Sequence, residues 1–155
     1  MLKALFQTKN TGWQSLLLRL ALGVVMFPHG AQKLLGWFGG YGFSGTMNFF
    51  TSTMHIPAPL AFLAIMTEFF GALALIAGLF TRVAALAVAI EMLVAVVTTH
   101  LANGFFMNWF GNQKGEGFEY HILAIAISLA LVISGAGALS ADAAIANKLT
   151  KPVAK

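Results

Sequence analysis

PLAFLAIMTEFFGALALIAGLFTRVAALAVAIEMLVAVVTTHLA, residues 59–102, holds two apolar runs separated by a two-residue step, Thr81-Arg82. The runs, 59–80 and 83–102, are each about the ~20 residues that an α-helix needs to cross a bilayer. In lipid the backbone polar groups must be satisfied within the segment, so the runs read as helices. The short step makes them an antiparallel hairpin.

Two more apolar runs, 15–36 and 118–138, complete the pattern. The chain has 155 residues, is 59% hydrophobic and only 9% charged, against a usual ~25% charged. Its mean hydropathy is +0.83. A soluble domain of this size could not bury so much apolar surface, so lipid is the expected solvent. The ~10-residue alternating strands of a membrane barrel are absent. The expectation is an all-α, integral membrane four-helix bundle, a single domain over 1–155. The first run is read as a retained helix: Arg19 interrupts it, and no small-residue cleavage site comes after it.

The net charge of +4 matters through its placement. With four spans both tails share one side, which carries Lys3, Lys9, Arg19, Arg82, Lys148, Lys151 and Lys155, against Lys33 and Lys114 on the other. The positive-inside rule puts both termini in the cytoplasm of a bacterium, with the chain multi-pass in the inner membrane. The basic excess is an orientation signal, and no nucleic-acid partner is expected. There is no cysteine, hence no thiol chemistry. Both outer loops, near 37–58 and 103–117, are rich in glycine and aromatics, as in an interfacial belt. A short interfacial helix fits the first loop, and Ser140 suits the N-cap of a short helix after the last span.

Ionisable groups at membrane depth are costly and mark candidate sites. At ~1.5 Å per residue, His29 and Glu68 lie at a similar level, ~10 and ~13 Å below the outer ends of their helices. His29 and Lys33 stack at i,i+4 on the first helix. Glu68 shares a face with Ala61, Ala64, Gly71 and Gly78, small residues that admit a neighbouring backbone, which points it into the bundle and would equally suit a homodimer. Glu91 sits near mid-membrane. On an ideal helix His100 falls about 180° from Glu91, so the two should not share a pocket. Glu119 and His121 likewise diverge. Pro28 removes a hydrogen bond to Val24 and should kink the helix below His29 and Lys33.

No phosphate loop and no Ser-His-Asp set is present. The histidines and carboxylates lack H-x-x-x-H or E-x-x-H spacing, so neither metal nor haem is expected. A quinone suits these groups better. Its ring wants apolar walls, its carbonyls want donors such as His29, Lys33, His100, Asn103 and His121, and its protons want a carboxylate such as Glu68 or Glu119. Structural readings stand beside this one: a His29–Glu68 packing pair, a snorkelling Lys33, and Arg19 and Arg82 as structural or topology anchors.

The stretches LLLRLALGVVMFPHGAQKLLGWFGG, LAIMTEFFGALALIAGLFTRVAAL, EMLVAVVTTHLANGFF and GFEYHI resemble, in order, the DoxX family of small four-helix membrane proteins, over about 15–138. The resemblance rests on R-x-x-L-G, H-G-x-x-K, G-x-x-T-R, H-x-x-N-G-F-F and E-Y taken together. It implies a fold more than a reaction. The family is named for membrane subunits of a thiosulfate:quinone oxidoreductase. Other members resemble parts of redox, quinone-stress, electrophile-stress or metal-stress systems, or assembly helpers. The positions it implies are Arg19, His29, Lys33, Glu68, Arg82, His100, Asn103 and Glu119; Glu91 lies outside the pattern. Three functions stay open: a quinone-linked redox subunit working with a redox partner protein, a non-enzymatic anchor or assembly partner of a redox or stress-response complex, and a small-solute or metal-ion transporter. The last lacks the broken helices and inverted repeat of transporters.

Overall fold

The computed structural model describes residues 6 and 12–150, which hold six helices and no strand. Helix α1 is Trp13–Leu35. It stops at Gly36, whose φ of 75° is left-handed and whose N–H returns to Ala31 O. Glycine takes this conformation without strain, which is why the helix ends there. Helix α2, Gly42–Asn48, runs on through a wider π turn at Phe49–Thr53. Helices α3, Ala58–Ala77, and α4, Thr81–Asn103, are both long and apolar enough to cross a membrane. Helix α5 is Glu119–Ser134 and α6 is Ala141–Thr150.

Two expected bounds shift, and the proline expected to kink α1 sits inside an unbroken helix. The α3–α4 turn is residues 78–80, with Gly78 and Phe80 both at positive φ, and Thr81 already opens α4. Helix α5 ends at Ser134, short of 138, because Gly135 and Gly137 take positive φ, at 82° and 70°. Pro28 does not break α1, which stays helical to Leu35. The lost hydrogen bond is tolerated where flanking helices hold the segment.

Helix α1 packs along α3 and also meets α5, while α4 packs along α5 and on the π turn of α3. The shared core includes Leu22, Met26, Leu75, Val88, Met92 and Leu131. Gly30 decides how closely α1 approaches α3: a Cβ there would stand 2.5 Å from the Phe69 Cα. Of the most apolar stretch of α3 and of α4, only 28% is buried. The core helix of a soluble protein would be mostly buried, so these apolar faces look outward. Leu17, Leu63, Val97 and Ile133 are all more than half exposed. Polar side chains within and apolar ones without is the arrangement that lipid favours.

At the α3–α4 turn, Arg19 is 1% exposed and ties three elements together. Its Nε donates to Ala136 O at 3.1 Å, Nη1 to Leu75 O at 3.2 Å and Ile76 O at 2.5 Å, and Nη2 to Ala138 O at 3.0 Å and Leu139 O at 2.7 Å. These carbonyls lie in the last turn of α3 and just past α5, where helices leave acceptors unpaired. Arg82 does the same for α5, donating to Val132 O and to Ile133 O at 3.1 Å. Asp142, 1% exposed, accepts from Phe80 N at 2.7 Å and Thr81 N at 2.9 Å, capping α4 from α6. Ser140 Oγ accepts from Ala143 N at 3.2 Å as the N-cap of α6.

Candidate functional site

At the opposite end of the helices a cavity of about 710 Å³ opens between α1, α3, α4 and α5. That lies within the ~300–1,000 Å³ of small-molecule sites. Helix α1 supplies Met26, His29 and Lys33, α3 supplies Ala64 and Glu68, and α5 supplies Tyr120 and His121. The i,i+4 spacing of His29 and Lys33 puts both on the cavity wall, though His29 itself remains exposed.

Lys33 Nζ lies 2.5 Å from Glu68 Oε2, with the two side chains 27% and 8% exposed. This ion pair crosses from α1 to α3 where Gly30 brings them together. Lys33 therefore turns inward, and it, rather than His29, is the partner of Glu68. Glu91 approaches from α4, and its Oε2 is buried with no hydrogen-bond partner among the described residues. Three ionisable side chains from three helices thus face one wall: a lysine and two carboxyl groups.

His100 and His121 stack with ring centroids 4.1 Å apart and planes tilted by 40°. His100 Nδ1 donates to Glu116 O at 2.8 Å. His121 is 6% exposed, and its Nδ1 has no partner among the described residues. Tyr120 donates its hydroxyl to Met26 Sδ at 3.5 Å. Among the described residues no three of His, Asp and Glu converge to hold a metal ion.

His100 and Glu91 line the same cavity, contrary to the separation expected of an ideal helix. The cause is the π turn Val96–His100. A π turn takes up one more residue per turn, which shifts the helix phase by roughly 100°. The other two π turns also meet the cavity. Thr67–Gly71 carries Glu68, and Phe49–Thr53 carries Phe49 and Phe50. All three line the cavity, and such irregularities are common at functional sites.

Glu119 and Asn103 do not line the cavity; they build its cap. Glu119 Oε1 accepts from Met107 N at 2.9 Å and Trp109 Nε1 at 3.2 Å. Asn103 Nδ2 donates to Glu116 O at 3.1 Å. These bonds fold the loop before α5 back over the site, so that Met107 and Glu116 reach it. Glu119 and His121 diverge, as expected from their spacing. Arg19, Arg82 and Pro28 also lie off the cavity wall, the two arginines at the far end. Glu116, Met54, Met92 and Met107 line the site without standing out in the sequence. Their signal is slight: methionine packs anywhere apolar, and Glu116 sits in a polar loop.

No solved structure matches the chain. The "Putative oxidoreductase CatD" of Bacillus subtilis (strain 168) is 32% identical over 117 residues, covering 76% of this chain and 77% of that protein. The family model described as DoxX matches residues 15–101, which include Arg19, His29, Lys33, Glu68, Arg82 and His100. The chain therefore belongs to the DoxX family of membrane proteins.

Proposed function

We propose that the chain is a quinone-linked redox subunit or accessory of the bacterial inner membrane, a four-helix bundle with both termini in the cytoplasm. The observation that carries the reading is the 710 Å³ cavity at one end of the helices, with donors and carboxylates on its wall and apolar side chains around them. A quinone ring fits such walls, and its carbonyls accept hydrogen bonds from imidazole, ammonium or phenol. His29, Lys33, His121 and Tyr120 are those donors, and Glu68 and Glu91 can exchange protons with the reduced ring. The name of the Bacillus relative, an oxidoreductase, supports the same class. The electrons pass to or from a partner protein or a substrate.

Native mass spectrometry of protein extracted under mild conditions tests this. The expected result is a bound quinone in the wild type, reduced several-fold in His29→Ala. Wild-type protein that carries none, and takes up none at saturating quinone, contradicts it.

One observation favours a second reading, a non-enzymatic anchor or assembly partner. Lys33 and Glu68 already form an ion pair at 2.5 Å, as a purely structural pair would. On that reading the protein co-isolates with a partner and its cavity stays free of small molecules.

A further inference from the structure

The cavity is not walled evenly. Its polar groups stand on α1, on the π turn of α3, on α5 and, on α4, at Glu91 and His100, whereas between those two α4 lines it with Val94, Ala95, Thr98 and Thr99. Val94, Thr98 and Thr99 line the cavity and are exposed at the same time, so this wall is open to the outside. Thr98 turns its hydroxyl back to Val94 O at 2.8 Å, which leaves mainly its methyl for the opening. Across from it α3 contributes Ala64.

What surrounds the opening decides what can pass. The same stretches of α3 and α4 present Leu60, Leu63, Leu93 and Val97 outward, at 56%, 56%, 56% and 65% exposure. These are membrane-facing aliphatics, so the opening looks into hydrocarbon. Among the other wall residues, His29, Glu116 and Phe49 are also exposed; the first two are polar, and Phe49 is an aromatic of the π turn after α2. The α3–α4 side joins the polar wall to lipid through Val94, Thr98 and Thr99, which are exposed and line the cavity on one helix.

We infer that the gap between the outer halves of α3 and α4 is a lateral portal, through which a tail-bearing quinone enters from the bilayer and along which its tail lies once the head is bound. This rests on the quinone reading above and adds the form of the ligand and its route. The head reaches the Lys33–Glu68 pair and the His100–His121 stack. The tail exchanges bilayer for Val94, Ala95 and Thr98 at little cost, because both surroundings are apolar.

A decyl-tailed benzoquinone with a diazirine at the tail end tests the portal on wild-type protein in lipid nanodiscs. After photolysis, peptide mapping is expected to place the adducts on the outer halves of α3 and α4, competed away by unlabelled quinone. Competed adducts on the aromatic loops, or beside His29 on α1 and α5, overturn the portal and leave the quinone reading standing. The absence of any adduct that unlabelled quinone competes away overturns both. Thr98→Trp, which fills the gap, is expected to weaken tailed quinone at least tenfold and to leave the untailed head group unchanged. Leu86→Trp, on the outward face of α4 away from the gap, should bind both like wild type. If Thr98→Trp fails to fold, Val94→Trp serves for the same comparison, and equal binding of both ligands in it contradicts the portal.

Discussion

Lys33 and Glu68 set the chemistry of the site. A carboxylate that is 8% exposed in a membrane-facing protein keeps its charge only with a cation beside it, here 2.5 Å away. Removing one partner of such a pair costs about 3–5 kcal/mol, because the remaining charge stays buried. Lys33→Met is therefore expected to lower stability by roughly 3 kcal/mol, the low end of that range, since Lys33 is partly exposed. The double variant Lys33→Met, Glu68→Met should recover most of the loss, since no unpaired charge remains. Thermal denaturation in detergent by circular dichroism reads both. If the double variant is no better than the single one, the pair is not what holds Glu68. Both residues are legible in the sequence as membrane-depth charges, yet depth alone pairs Glu68 with His29. The mismatch arises because level says nothing about side-chain reach, and lysine spans more than imidazole does.

At the scale of the element, the π turns matter most. Each adds a residue to a turn and re-aims the side chains beyond it, and all three lie against the cavity. Deleting Val97 should restore ordinary α-helical winding in α4 and swing His100 out of the wall by roughly 100°. The expected result is a folded protein that loses the His100–His121 contact, read as a lost ring-to-ring NMR effect, with quinone binding weakened tenfold or more. Unchanged binding would show that the phase of α4 does not matter. The apolar runs themselves are legible because hydrophobic length is a strong signal; α3 and α4 begin and end within about three residues of the expected bounds. The π turns are not legible. Val96-Val97-Thr98-Thr99-His100 looks like any β-branched helix segment, and the contacts at its end, such as His100 Nδ1 to Glu116 O, come from a loop 16 residues away. Pro28 is a strong local breaker signal, yet α1 stays helical through it to Leu35.

For the whole molecule, the two ends divide the work. The end with the α3–α4 turn is closed by Arg19, Arg82 and Asp142, whose hydrogen bonds satisfy helix termini. Arg19→Lys keeps the charge but has three donor hydrogens for five carbonyls. Leaving buried acceptors unpaired costs about 1–3 kcal/mol each, so the variant should melt well below wild type while a control such as Lys114→Arg does not. Arg19 stands out in the sequence as a charge in an apolar run, yet its partners lie as far as 120 residues away and cannot be read from spacing. Asp142, 61 residues from Thr81, is hidden for the same reason. The other end is open and holds buried polar atoms of Glu91 and His121 that have no hydrogen-bond partner among the described residues, and it is where the proposed ligand binds. Equilibrium titration of the wild type in nanodiscs with a tailed quinone, monitored by intrinsic tryptophan fluorescence, tests this division most directly. Saturable one-site binding is expected, weakened at least tenfold by His121→Ala and unaffected by Lys114→Arg. Non-saturable partitioning alone, identical in wild type and His121→Ala, contradicts a quinone site in this cavity.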